Sequence, residues 1–137
     1  MEIIMYKDLS NKVHLWIGTN FDKNYYDYFE IDYSTGGDLD HPDYKLCGFC
    51  KDTGTLWYDE DFIGILAPFP AGYSLDEILS QSAVNPDEFA LVKSICSRLG
   101  ILTANALFWH QENDSEINVD QSKLYNGLYY IGLFEGD

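Results

Sequence analysis

Trp57-Tyr58-Asp59-Glu60-Asp61-Phe62-Ile63-Gly64-Ile65-Leu66 sets two aromatic rings beside three adjacent acids and then runs into strand-forming hydrophobes. Large apolar side chains need a core, whereas three uncompensated carboxylates cannot be buried together without a severe desolvation cost. The stretch therefore lies where core meets surface, and its acids form a presented edge. Its apolar half predicts a strand around Phe62 to Leu66, stopped by Pro68 and Pro70. Asp59 and Asp61, two apart on an extended segment, are expected on one face at about 7 Å.

Working outward toward the N-terminus, Tyr44 to Asp52 predicts a short helix ending near Gly54, preceded by an acidic loop from Ser34 to Asp43 rich in Gly, Asp and Pro. Phe21, Tyr25, Tyr28 and Phe29 recur at helical spacing, which predicts a helix from Phe21 to Ile31. Val13, Leu15 and Ile17 alternate with His14 and Trp16 before Gly18, the pattern of a short strand covered on both faces. Trp16 is expected to be buried.

Toward the C-terminus, Ser74-Leu75-Asp76-Glu77 is a capping box that opens a helix to about Ser82. Asn85-Pro86-Asp87-Glu88 opens a second helix ended by Gly100, with Phe89, Val92, Cys96 and Leu99 on its apolar face. Leu102 to Trp109 and Leu128 to Phe134 read as strands that pair as a hairpin across the polar, acid-rich interval Gln111 to Gln121. Strand, helices, strand, helices and a closing strand pair indicate an α+β fold. The expected architecture is a single domain over residues 1–137, with an antiparallel or mixed sheet and helices packed mainly on one face.

The 137 residues are enough for one substantial core and too few for two. Against 23 Asp and Glu there are 8 Lys and Arg, so the net charge is -15. Nucleic-acid phosphate and anionic lipid are poor partners for such a body, and a basic partner is favoured. The 11 Tyr add rigid, amphipathic contact area suited to a protein-binding surface. No apolar run reaches the length of a membrane span, and Met1 to Lys7 lack the features of a signal peptide, so a cytoplasmic protein is expected. Three cysteines, an odd number, agree with a reducing compartment.

Cys47-Gly48-Phe49-Cys50 has the spacing of a redox dithiol, which needs one thiol at a helix start. With a helix expected to begin at Tyr44, that requirement fails, and the pair reads as two small hydrophobes on a helix. A zinc site is not supported, because His14, His41, Cys96 and His110 lie at no matching spacing. Asp38-Leu39-Asp40 opens like a calcium loop, yet Pro42, Asp43 and Phe49 fall where such a loop needs a ligand, a glycine and a glutamate. No catalytic residue, metal or cofactor is expected.

Val13-His14-Leu15-Trp16-Ile17-Gly18, then Tyr28-Phe29-Glu30, then Trp57 to Phe62 together resemble the immunity protein 22 family of bacterial polymorphic toxin systems. The resemblance covers the first half of the chain and rests on the order and spacing of these segments. It implies a small cytoplasmic protein, with no enzymatic activity, that binds and neutralises a cognate toxin domain. The charge points the same way, since a compact body at -15 suits the basic cleft of a nuclease and would be steered into it. The expected contacts are Asp38, Asp40 and Asp43 of the loop and Asp59, Glu60 and Asp61 of the edge. Tyr33 and Tyr58 are the expected aromatic anchors, on a chain that is a monomer when free. Two alternatives stay open: a small enzyme using Cys47 and Cys50, and an acidic mimic of nucleic acid.

Overall fold

Strand β1 (Lys12–Gly18) runs through the middle of the computed structural model, which describes residues 11–66, 68–112 and 117–137. The other strands are β2 (Ile63–Ile65), β3 (Tyr73–Ser74), β4 (Thr103–Ala104), β5 (Ala106–Gln111), β6 (Leu124–Tyr125) and β7 (Leu128–Glu135). The helices are α1 (Gly48–Thr53), α2 (Leu75–Leu79) and α3 (Phe89–Arg98). Five strands form one antiparallel sheet in the order β2-β5-β1-β7-β6, and β3 pairs with β4 beside it. The fold is α+β, as the element pattern predicts.

Alternation along β1 divides the interior in two. Val13, Leu15 and Ile17 enter a core with Val92 and Cys96 of α3, Ile78 and Leu79 of α2, Leu107, Ile131 and Phe134. Wholly buried Leu15, Ile17 and Leu107 each contribute about 1.5–3 kcal/mol relative to exposure. Trp16 turns to the opposite face and joins a second core that holds Tyr25, Phe29, Phe49, Tyr58, Phe108 and Tyr125. Its ring stacks on Phe108 with centroids 4.6 Å apart, and Phe29 meets Phe108 edge-on at 4.8 Å. Such offset and T-shaped pairs add about 0.5–1.5 kcal/mol beyond the area they bury. Helices α2 and α3 cover the aliphatic face; α1 and the chain from Thr19 to Phe62 cover the aromatic one.

Several local expectations give way to side-chain hydrogen bonding. Phe21 to Ile31 forms only a 3-10 turn, Tyr25–Phe29. Asn20 and Asp22 each accept an amide two residues on, at 2.7 and 2.8 Å, and these turns compete with helical bonds in a segment of poor helix formers. Tyr25 and Phe29 still reach the core, while Phe21 is exposed. The expected strand Leu102 to Trp109 is broken at Asn105. That buried amide accepts from the Asn20 N–H at 2.7 Å and donates to the Asn20 and Phe69 carbonyls, so β4 turns away to pair with β3. β5 and β7 do not form a hairpin, because β1 lies between them and bonds to both. Leu99 is the helix C-cap and is exposed, although Val92 and Cys96 of the same stripe are fully buried.

Contact demands a glycine at position 64. A Cβ on Gly64 would lie 2.1 Å from the Trp109 ring across the β2–β5 pair, so the indole lies flat on bare backbone.

Candidate functional site

Tyr33 is the joint between the two acidic segments singled out in the sequence. It leaves the 3-10 turn through Glu30 and Ile31, is 55% exposed, and donates its hydroxyl to Glu60. That bond raises its pKa above the usual phenol value. Asp32 closes the loop behind it, accepting the Ser34 N–H on one oxygen and the Lys45 N–H on the other at 3.0 Å, and the Ser34 side chain, followed by these two backbone bonds, lowers its pKa. Within the loop, Gly36 and Gly37 take positive φ values of 66° and 85° that other residues resist. Asp38 accepts the Asp40 N–H, and Tyr44 donates to the Leu56 carbonyl at 2.6 Å, pinning the loop to the segment that carries the edge.

The edge is a turn, not an extended segment. Asp59 accepts the Asp61 N–H at 2.9 Å and caps a 3-10 turn, Glu60–Phe62, so the expected shared face of Asp59 and Asp61 on a strand does not form. A carboxylate two residues before an unpaired amide makes this turn locally favourable. Glu60 sits on the Tyr33 side, whereas Asp61 lines a cleft on the other side with Val13, Ile63, Gly64 and Trp109. β2 follows at once as the edge strand of the sheet.

Tyr58 is not a surface anchor. It is 1% exposed, meets Phe49 edge-on at 5.0 Å and donates its hydroxyl to the Phe29 carbonyl, and burial raises its pKa. Trp57, its neighbour, is 41% exposed and takes the presented position. In an extended pair only one of two successive side chains can face out. Trp57, Tyr33, Ile31, Leu39 and Gly37 line a shallow cleft of about 150 Å³. A second cleft adjoins it, sharing Ile31, Asp32 and Tyr33 and adding Asp27, Glu30 and Lys45.

The structure thus gathers Tyr33, Glu60, Trp57 and the Gly37-Asp38-Leu39 part of the loop. Asp40 and Asp43 are exposed turn residues farther along it, and Asp59 is half-buried. Sequence reasoning missed Trp57, Leu39, Asp27, Glu30 and Asp32. For Trp57 the signal was strand alternation; Asp27 and Glu30 lie within a stretch whose spacing predicts a helix that does not form, and Asp32 lies just after it.

Cys47 also differs from expectation. α1 starts at Gly48, with Cys47 as its N-cap and the sulfur accepting the Cys50 N–H at 3.3 Å. The premise that the helix begins upstream of Cys47 therefore fails, although Gly54 ends it as predicted, in the left-handed conformation. Among the described residues no group of three or more His, Cys, Asp or Glu could hold a metal ion, and no helix is long and apolar enough to cross a membrane.

The profile of a protein family described as Immunity protein 22 matches residues 13–136, from within β1 to beyond the end of β7. No curated protein and no solved structure matches the chain. With all of the five-stranded sheet except Lys12 inside the matched region, the chain belongs to the Immunity protein 22 family.

Proposed function

We propose that the chain neutralises a bacterial toxin domain by covering a basic surface on it, a nuclease cleft being the surface that fits, with the face built around Tyr33 and Trp57. Asp38, Asp40 and Asp43 on the loop and Asp59, Glu60 and Asp61 at the edge supply the charge. The chain acts as one domain, a free monomer in the cytoplasm, by occupancy and not by catalysis, with no cofactor and no nucleic-acid partner. The observation that carries this reading is the Tyr33 to Glu60 hydrogen bond, which joins loop and edge around a shallow apolar cleft. An exposed aromatic pair ringed by acids has the make-up of a protein interface, with anchors at the centre and charge at the rim. A mimic of nucleic acid needs acids in a long phosphate-like row, and the grouping around aromatic side chains favours a protein partner.

Charge reversal at each of the six acids tests this, with affinity for the toxin domain encoded beside the protein and protection of cells expressing that toxin as readouts. Rim carboxylates will slow association, an effect that shrinks as salt shortens the Debye length from about 10 Å at 0.1 M. One or two will instead speed dissociation and cost about 2–5 kcal/mol, because the toxin charge they meet is left buried and unpaired. If all six variants bind and protect like the wild type, the interface lies elsewhere, the acidic interval Glu112 to Asp120 being next; its residues 113–116 lie outside the described ones.

A further inference from the structure

The Cys47 and Cys50 pair is the feature that the toxin-binding reading leaves unused. Three residues apart, the two cysteines occupy the N-cap and the third position of α1, where one side chain naturally folds back onto the other residue's amide. The Cys47 sulfur sits over the Cys50 backbone amide, so both side chains lie at the same end of α1. They are unequally placed. Both belong to the aromatic core, but Cys47, 7% exposed, also lines the cleft with Asp27, Glu30, Asp32 and Lys45, whereas Cys50 is 1% exposed.

We propose that Cys47 and Cys50 are an oxidisable dithiol that exchanges with small-molecule disulfides through Cys47 and closes to an intramolecular disulfide at the start of α1. In the first step the Cys47 thiolate attacks one sulfur of the reagent disulfide. A mixed disulfide forms, the reagent's sulfur–sulfur bond breaks, and one thiolate leaves and takes up a proton. In the second step Cys50 gives up its proton and its sulfur attacks the Cys47 sulfur, expelling the remaining reagent thiol. Two electrons and two protons pass from the protein dithiol to the reagent.

The environments fit that division of labour. The Cys50 side chain, with backbone amides of the first helical turn, holds the Cys47 thiol below its ordinary value, which favours the attacking thiolate. Cys50 is pushed up by the Cys47 side chain and by burial. Cys96 supplies an internal control: it is fully buried in the aliphatic core, and burial pushes it up to about 11. The cleft adds a preference among reagents. Asp27, Glu30 and Asp32 on its wall, against Lys45, repel an anionic disulfide and favour a cationic one. The inference stands independently of the toxin, because it concerns the free protein.

The experiment uses the reduced full chain, incubated at neutral pH with cystamine or with glutathione disulfide, quenched in acid, and read by intact mass and peptide mapping. The expected result is loss of two hydrogens, a Cys47 to Cys50 disulfide, a free Cys96, and reaction with cystamine on the order of tenfold faster at low salt. Cys96→Ala should behave identically, while Cys50→Ala should stop as a single mixed disulfide on Cys47. Because Cys50→Ala removes a buried side chain, alkylation rates in the unmodified chain give a second measurement, with Cys47 reacting well ahead of Cys50 and Cys96. Three free thiols after either incubation, first reaction at Cys96, or equal alkylation of all three would overturn the proposal.

Discussion

Trp57 and Tyr58 show how much turns on one residue. Both are large, both flank the acids, and composition cannot choose between them. The structure buries Tyr58 against Phe49 and uses its hydroxyl to satisfy the Phe29 carbonyl, leaving Trp57 to face solvent. Tyr58→Phe should therefore lower stability by about 1–3 kcal/mol, the cost of a buried acceptor losing its donor, without weakening partner binding by the molecules that stay folded. Thermal melting and calorimetric affinity separate the two effects; a Tyr58→Phe variant of unchanged stability and lost affinity would return Tyr58 to the interface. His110, cross-strand from His14, is buried beside Phe49 and Tyr58, and burial lowers its pKa to about 4 from an ordinary value near 6.5. Because its folded form resists protonation, its contribution is complete above pH 6.5 and is lost as pH falls toward 4, by up to about 3 kcal/mol. Burial lowers His14 in the same direction, opposed by Glu112. His110→Leu should flatten the fall in denaturant stability between pH 6.5 and pH 4; an unchanged slope would show that carboxylates alone set the acid limit.

Elements built on apolar periodicity were legible, and elements shaped by polar side chains were not. β1 and the Val92 and Cys96 stripe of α3 follow from spacing because burial is what decides them, and the Ser74 capping box is the polar exception, legible because its Ser and Glu carry a fixed spacing of their own. The helix read over Phe21 to Ile31 has the same spacing, but its Asn and Asp residues hydrogen-bond the backbone locally and only the two inward aromatics keep their places. In β7 a bulge opposite Leu15 and Trp16 lets Ile131 and Phe134, three apart, enter one core, a shift that no period-two reading contains. Strand order was equally hidden, since β1 accepts β5 on one side and β7 on the other through contacts about a hundred residues distant, beyond any local pattern. Val92→Asp is the direct test of the α3 packing. An unpaired carboxylate at this fully buried site removes a large share of a net stability of about 5–15 kcal/mol, so the variant should lose its cooperative melt. A fully folded variant would place that face in solvent.

At the scale of the whole molecule, the net charge of -15 was readable at once, and it would favour a basic partner without saying where contact occurs. The proposed location is argued from the fold. The segment that covers the aromatic face of the sheet returns to the surface at Tyr33 and again at Trp57 to Asp61, and the Tyr33 to Glu60 bond makes one patch of two stretches separated in sequence. Aromatic anchors within such a patch carry most of the binding energy where they are desolvated, while surrounding acids govern the rate of encounter. That patch is the proposed interface. Its most direct test is the calorimetric affinity of a Tyr33→Ala, Trp57→Ala double variant for the toxin domain encoded beside this protein, at 0.1 M salt with melting temperature checked in parallel. Loss of two hot-spot anchors at about 2 kcal/mol each predicts an affinity weaker by roughly a thousandfold with the melting transition preserved; wild-type affinity in a folded double variant would contradict it.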